Sequence, residues 1–186
     1  MAGGARSVLR EAVEWVAILV IAFAAVTLLR TFVVECYNVP TGSMEPTIEV
    51  GDNLVAQKVT IELGRDVSRG DIVVFRNPDA TSEHSILVKR VIATAGQTVD
   101  MVDGVVYVDG VALSEPYAQG ASYPLDAQAP GASVSFPCTV PEGHVWLMGD
   151  NRGNSADSRY FGPVPEGNLV AVALFRYWPL DRLGPL

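Results

Sequence analysis

Residues 98–108 have the sequence TVDMVDGVVYV, in which two short apolar runs flank the pair Asp103-Gly104. An Asp-Gly pair between two β-branched runs is typical of a two-residue hairpin turn, because both central residues of such a turn need positive φ. A second pair, Asp109-Gly110, follows directly and ends the unit. The segment therefore predicts an antiparallel hairpin of Thr98–Val102 with Val105–Val108.

The same alternation of short strands and turns continues through the chain after residue 34. Runs rich in Val and Ile predict further strands at residues 53–59, 71–76, 86–94, 145–148 and 169–177. Residues 118–137 are rich in Gly, Pro, Ala and Ser, which predicts a loop. We therefore predict that residues 35–186 form a mainly β domain, a folded antiparallel sheet or partial barrel. A hairpin-and-loop excursion is expected at about residues 98–140.

The N-terminal segment has a different character. Residues 15–34 are apolar except for Thr27, Arg30 and Thr31. Twenty helical residues span about 30 Å, the thickness of a bilayer core. We predict a transmembrane anchor at residues 15–34 behind a cytoplasmic tail of residues 1–14. One alternative is a cleaved signal peptide, but no small-x-small site follows the run. The other alternative is a buried core helix.

The basic residues near this segment predict its orientation. Arg6 and Arg10 precede the run, Arg30 lies near its end, and the next basic residue is Lys58. The positive-inside rule then places the N-terminus in the cytoplasm and the following domain outside the membrane.

Charge and composition exclude several classes of function. Only three of the 13 basic and two of the 21 acidic residues precede residue 35, so the domain carries −9 against −8 for the whole chain. Such an acidic domain without a basic run is poorly suited to binding nucleic acid. His84, His144, Cys36 and Cys138 show no metal-ligand spacing, so no metal and no cofactor are predicted. Whether the two cysteines form a disulfide or stay as thiols is left open.

Ser43 is the first candidate for chemistry. It lies in the sequence PTGSMEPT, residues 40–47, directly after a glycine and between two prolines. A constrained turn of this kind can hold a serine hydroxyl exposed, as a nucleophile requires. The alternative is an ordinary turn, because Gly, Pro, Ser and Thr dominate turns in general.

Lys89 is the second candidate and one of only two lysines. Side chains alternate along a strand, so Leu87, Lys89 and Val91 share one face. A lysine held among apolar neighbours has a lowered pKa and can act as a neutral general base. The alternative is an edge-strand lysine that prevents aggregation. Arg90 lies on the opposite face, and the pattern alone leaves open which face is buried.

The third candidate is the polar segment GDNRGNSADSR, residues 149–159, which directly follows a predicted strand. Polar loops on a rigid strand often carry function. A plain solvated loop is the alternative. A calcium-binding EF-hand loop is excluded by the spacing and by the lack of flanking helices.

These three segments, together with RGDIVVF at residues 69–75, resemble the conserved boxes of bacterial type I signal peptidases, in the order typical of that family. The resemblance implies a membrane-bound serine endopeptidase on the outer face of the bacterial plasma membrane. It would remove signal peptides from exported preproteins by cutting after small-x-small sites. The implied partners are those signal peptides, the lipid bilayer and the protein export machinery.

The resemblance also implies a role for each site residue. Ser43 would be the nucleophile and Lys89 the general base, with the Thr41 hydroxyl and the Ser43 N–H as the oxyanion hole. Ser155 would hydrogen-bond the Lys89 amine, and Asp157 and Arg159 would pair to hold the loop. Asp150 belongs to the same supporting set. The pockets for small substrate residues would be lined by Tyr37, Val39, Met44, Ile48, Leu87 and Val88.

Two departures from the family pattern are visible. Thr41 stands where the family often has Ser or Gly, and residues 93–97, ATAGQ, replace the usual Gly-x-Pro-Gly-Asp. Four other functions stay open: a self-cleaving Ser–Lys regulator, a membrane-tethered binding module, an inactive relative, and a Ser-His-Asp hydrolase that uses His84 or His144.

Overall fold

The computed structural model describes residues 2–186, including the side chains of residues 10, 11, 13–27 and 33–186. A long N-terminal helix, α1, precedes a β domain that also holds two short helices. The helices are α1 (Ala2–Phe32), α2 (Val59–Glu62) and α3 (Ser158–Phe161). The strands are β1 (Val34–Asn38), β2 (Asn53–Gln57), β3 (Ile72–Arg76), β4 (Ile86–Thr94), β5 (Thr98–Val102), β6 (Val105–Val108), β7 (Val111–Ala112), β8 (Cys138–Thr139), β9 (His144–Met148), β10 (Val164–Pro165), β11 (Leu169–Trp178) and β12 (Gly184–Pro185).

The larger sheet has the strand order β1-β2-β11-β3-β4-β9-β10, with β12 paired to β11. Each neighbouring pair is antiparallel, and register shifts interrupt three of the ladders. Such irregularities bend strands and let a sheet curl. The result is a curled half-barrel, which confirms the predicted mainly β fold.

The hairpin at residues 98–108 is confirmed and belongs to a second, smaller sheet of order β7-β6-β5-β8. β5 pairs with β6 from Val99↔Val108 to Val102↔Val105. Asp103 and Gly104 have φ of 51° and 81°, as the sequence of the turn requires. Apolar residues of this sheet pack against Ile92 and Trp146 of the larger one.

The strand predictions hold with small differences at the ends. β4 has the predicted bounds, whereas β2 ends at Gln57 because α2 begins at Val59. β1 was not predicted as a strand. Its first residue, Val34, was assigned to the predicted anchor, but Val34 pairs with Gln57 in the larger sheet and α1 ends at Phe32.

The described side chains of α1 are apolar from Trp15 onward except for Thr27, and they are exposed, with Trp15 at 66% and Phe23 at 75% of their full accessible area. Among the residues that the structure describes, no helix has both the length and the apolar character needed to cross a membrane. The side chains of residues 28–32, near the end of the predicted anchor, lie outside the described set, as do those of residues 1–9 and 12.

Two apolar clusters cover opposite faces of the larger sheet. Ile72 and Val74 of β3 belong to one cluster, and Val73 and Phe75 belong to the other. Residues 89–93 of β4 are all buried, so both faces of this part of the strand are covered, whereas residues 86–88 keep some exposure. At Lys89 and Arg90, therefore, both faces of β4 are buried.

Candidate active site

Ser43 lies in a single turn of 3₁₀ helix, Gly42–Met44, between β1 and β2. Asn151 holds this turn from the segment that follows β9. Its backbone N–H donates to the Ser43 carbonyl at 3.1 Å, and its side-chain amide donates to the Gly42 carbonyl at 3.1 Å. The position of Ser43 is therefore fixed by a residue more than 100 positions away in the sequence.

Lys89 lies on β4 opposite Val73 and is 2% exposed. Its Nζ donates to Ser43 Oγ at 2.6 Å and to the Val88 carbonyl at 3.1 Å. Burial lowers the pKa of the amine from 10.5 to about 8, partly opposed by the negative charges of Asp157 and Asp150. The structure thus brings together a serine hydroxyl and an amine whose pKa of about 8 makes its neutral form far more accessible at neutral pH than that of an ordinary lysine.

Asp150 and Arg90 form a buried ion pair beneath the serine turn. Arg90 donates through Nε and Nη2 to the two carboxylate oxygens, at 2.9 and 2.6 Å. The Thr47 hydroxyl donates to the same carboxylate at 2.5 Å, and the Tyr117 ring covers the guanidinium at 4.0 Å. Arg90, which follows Lys89 directly, is thereby neutralised on the opposite face of β4, as a buried charge must be.

Asp157 and Arg159 form a second buried pair within the polar loop. Arg159 donates to both oxygens of Asp157, at 2.9 and 2.8 Å, and both residues are at most 1% exposed. The Asp157 carboxylate also accepts the Gly149 N–H at 3.0 Å. Asp157 therefore ties the two ends of the loop together.

Ser155 is half-buried, and its Oγ lies beside Gly149 without a bond to the Lys89 amine. Within the described part of the chain its Oγ has no hydrogen-bond partner. The predicted hydrogen bond from Ser155 to the Lys89 amine is thus not formed in this structure. The amine makes its contacts with Ser43 and Val88 instead.

Gly149 is required by a close approach at the same place. A Cβ at this position would lie 2.3 Å from Ser155 Oγ and 2.4 Å from the Ser43 carbonyl oxygen. Both distances are well below a van der Waals contact, and the Ser43 oxygen belongs to the backbone. Only glycine lets the loop lie this close to the serine turn.

A groove runs from Ser43 between residues 37–41 and β4. Five of the six predicted substrate-binding residues line it: Tyr37, Val39, Met44, Leu87 and Val88. The prediction was wrong for Ile48, which is fully buried and packs with Val39 and Met44 in the core beneath the groove. Thr41 and Ser43 lie at the end of the groove, and Glu83 and His84 stand along it.

A family model described as "Signal peptidase, peptidase S26" matches residues 12–178. The chain belongs to this signal peptidase family. The match confirms the resemblance drawn from the four boxes, and it identifies the chain as a serine-type peptidase.

Curated members of the signal peptidase family are similar over most of the chain. The probable signal peptidase I-1 of Synechocystis is 40% identical over 179 residues, which cover 93% of this chain and 86% of the relative. The signal peptidase I of Bacillus amyloliquefaciens is 37% identical over 174 residues, covering 91% and 87%. A crystal structure of a signal peptidase I from Enterococcus faecalis, 33% identical, covers 58% of this chain and 97% of its own, with a TM-score of 0.46.

The structure of this signal peptidase also shows functional contacts that sequence reasoning missed. Arg152, 2% exposed, donates to both oxygens of Glu115 at 2.9 and 2.7 Å, to Ser122 Oγ at 2.5 Å and to the Gly149 carbonyl at 3.0 Å. The segment 115–122 was assigned to a hairpin and loop without a role. Through Arg152 it is bonded to the polar loop of residues 149–159.

The two cysteines are free thiols in this structure. Cys36 is exposed on β1, and Cys138 is partly buried on β8 in the smaller sheet. Burial raises the pKa of the Cys138 thiol, which favours the protonated form.

Proposed function

We propose that this signal peptidase is a membrane-anchored serine endopeptidase that removes signal peptides from exported preproteins, with Ser43 as nucleophile and Lys89 as general base. The observation that carries the proposal is the 2.6 Å contact between Lys89 Nζ and Ser43 Oγ at a buried amine. Neither histidine is needed for the reaction, because a neutral lysine can replace the histidine of other serine hydrolases.

The lowered pKa of Lys89 is what makes this base effective. An exposed lysine with a pKa of about 10.4 is neutral in fewer than about one molecule in a thousand at pH 7. With the pKa of Lys89 lowered to about 8 by burial, the neutral fraction rises several hundredfold. A substrate that covers the site removes more water and favours the neutral amine further.

The reaction begins with attack of Ser43 Oγ on the carbonyl carbon of the scissile bond, while the neutral Lys89 amine takes the hydroxyl proton. The Ser43 N–H and the Thr41 hydroxyl donate to the oxyanion, and the loss of one such donor costs about 10²–10³ in kcat. Protonated Lys89 then gives its proton to the leaving amine. The same lysine activates the water that hydrolyses the acyl-enzyme and releases the signal peptide.

The groove favours small residues before the cut. An extended peptide adds as a strand beside residues 37–40 and 86–88, and alternate side chains then face the groove. Val39, Met44 and Val88 line it with apolar side chains. Alternate small residues in the substrate correspond to a small-x-small site.

The anchor is part of the proposal. Residues 15–32 place the enzyme in the bacterial plasma membrane, with the N-terminus in the cytoplasm and the β domain, from Val34 onward, outside. Support comes from the exposed apolar side chains of α1, among them Leu19, Ile21 and Phe23. Exposure of these side chains to water would be unfavourable. Two measurements test the anchor. The full chain should resist alkaline extraction from membranes, and protease should reach the β domain only from the outer side. Release of the full chain by alkali would contradict it.

Cleavage of a preprotein with a small-x-small site, in detergent, tests the catalytic proposal. Wild type should cut at that site, whereas Ser43→Ala and Lys89→Ala should lose the activity while remaining folded. Lys58→Ala is the matched control, since the other lysine pairs with Glu35 at 2.7 Å at the surface, and it should keep the activity. Activity that survives Lys89→Ala would exclude the Ser–Lys mechanism.

A further inference from the structure

A second cavity meets the substrate groove at the nucleophile. Thr41, Ser43, His84 and Leu87 line both of them. From there the second cavity runs away from Tyr37 and Val39, between the β3–β4 turn on one side and the polar loop with α3 on the other. Asn77 and Asp79 line the first side of this cavity, and Tyr160 and Phe161 line the second.

The second cavity continues into a third. Asp79 and Phe161 line both, and the third is completed by Pro78 and residues 129–132 of the loop that precedes β8. Groove and cavities thus form one trough that passes over Ser43 and Lys89. We call the second and third cavities together the exit trough.

We infer that the exit trough binds the first residues after the scissile bond, and that Asp79 favours a basic side chain among them. The inference rests on the proposed function. An extended chain advances about 3.3 Å per residue. If the residues before the cut occupy the groove, those after it must leave across Ser43 in the other direction. The exit trough is the continuous depression that starts there.

Asp79 gives the exit trough its charge. The ionisable residues that line it are Asp79, His84, Lys89 and Tyr160. Lys89 is buried and bonded to Ser43, so it is not available to a passing side chain. Asp79 is the acidic residue among those that line the exit trough, and it belongs to both of its cavities.

The Asp79 carboxylate is held in a defined place. Its Oδ1 accepts the Thr81 N–H at 2.9 Å and the Thr81 hydroxyl at 2.6 Å, while its own N–H donates to Asn77 at 3.0 Å. The Thr81 hydroxyl and amide, aided by Tyr160, lower the pKa of the carboxyl, so Asp79 is ionised at neutral pH. Because Oδ1 carries the turn contacts, Asp79→Asn removes the charge and keeps the acceptor that shapes the turn.

The test uses one parent peptide with a small-x-small site, carrying Lys, Gln or Glu at the second or third position after the cut. For wild type at low ionic strength, kcat/KM should be about two- to fivefold higher for the Lys than for the Glu peptides, as for a partly exposed ion pair. Asp79→Asn should remove this ratio, and added salt should reduce it. Asp103→Asn, in the β5–β6 turn and outside the groove and exit trough, should keep it.

Two results would overturn the inference: equal rates for the Lys and Glu peptides in wild type, or a ratio that persists in Asp79→Asn. Cleavage of the uncharged parent by wild type is measured first. Its failure would reject the proposed function itself, whereas a cleaved parent without a charge preference would reject only the exit trough.

Discussion

Lys89 Nζ donates to Ser43 Oγ across 2.6 Å, although the two residues are 46 positions apart and belong to different elements. β4 supplies the lysine from the middle of a sheet, and the 3₁₀ turn after β1 supplies the serine. The strand cannot move without breaking ladders on both sides, and Asn151 holds the turn. The contact is therefore preorganised before any substrate arrives.

The pH dependence of cleavage should follow the Lys89 amine. Because the base must be neutral, kcat/KM should rise as the pH increases through about 8, the value to which burial lowers the pKa of Lys89. Below that pH the rate should fall about tenfold per unit. A pH–rate profile of wild type from pH 6 to 10 checks this. A rate that is flat between pH 6 and 8 would contradict a base with this pKa.

Lys89 should also reduce the stability of the fold near neutral pH. The folded pKa of about 8 lies below the ordinary 10.5, so between these values the unfolded chain binds more protons and the free energy of unfolding rises with pH. We expect Lys89→Met to be about 1–3 kcal/mol more stable than wild type at pH 7, because about 1.4 kcal/mol corresponds to each pKa unit. The advantage should shrink between pH 8 and 10.5.

Denaturant unfolding of both proteins at pH 7 and pH 10 measures this effect. Lys58→Met is the control, since it removes a partly exposed ion pair with Glu35 and should change stability by less than about 1 kcal/mol. If Lys89→Met were less stable than wild type at pH 7, packing or the bond to Ser43 would outweigh the cost of burying the amine.

Local sequence signals predicted the strands, because these signals act through the backbone. The Asp103-Gly104 turn needs positive φ at both residues, and both have it. β4 has the predicted bounds because residues 86–94 are rich in β-branched residues and contain no glycine or proline. The start of β1 at Val34 was missed, since an apolar residue beside an apolar helix gives no sign of where a strand partner lies.

The support of the site depended on contacts between distant residues. Arg90 and Asp150 are 60 positions apart, and Arg152 and Glu115 are 37 apart. Sequence patterns predict period and turns, but not which charges meet after the sheet has curled. For the same reason Ile48 was assigned to the groove, although the chain turns it into the core. The predicted bond from Ser155 to the Lys89 amine is absent, because Ser155 Oγ has no hydrogen-bond partner in the described part of the chain.

The Arg90–Asp150 pair should matter far more for stability than the pair at the surface. Asp150 is fully buried, and its removal would leave the Arg90 charge without a counter-ion. We expect Asp150→Ala to lower the free energy of unfolding by about 3–5 kcal/mol. Glu35→Ala, which breaks the partly exposed pair with Lys58, should cost less than about 1 kcal/mol.

Thermal or denaturant unfolding should be measured for these two variants and for the double variant Arg90→Met/Asp150→Leu. The comparison separates the free-energy cost of an unpaired buried charge from the net contribution of the ion pair to stability. The double variant should recover part of the loss, because it leaves no buried charge alone. Equal losses for Asp150→Ala and the double variant would show that packing, and not the stranded charge, is responsible.

Gly149 provides the sharpest test of how closely the loop must approach the nucleophile. A Cβ there would lie 2.4 Å from the Ser43 carbonyl oxygen, and this atom is fixed by the Asn151 N–H. Ser155 can rotate away from the new methyl group, but the backbone oxygen cannot. Gly149→Ala should therefore displace the Ser43 turn from Lys89. A displacement of about 1 Å is enough to reduce the rate about 10²-fold.

Gly153→Ala is the matched control, because it lies in the same loop and its Cβ would meet no atom within 4 Å. We expect it to keep its kcat/KM, whereas Gly149→Ala should lose activity yet still unfold cooperatively. Acylation of Ser43 by an active-site probe, followed in both variants, locates the defect, since a displaced nucleophile slows acylation itself. Normal acylation in Gly149→Ala would mean that the loop yields to the methyl group without moving Ser43, and the close approach would then be incidental.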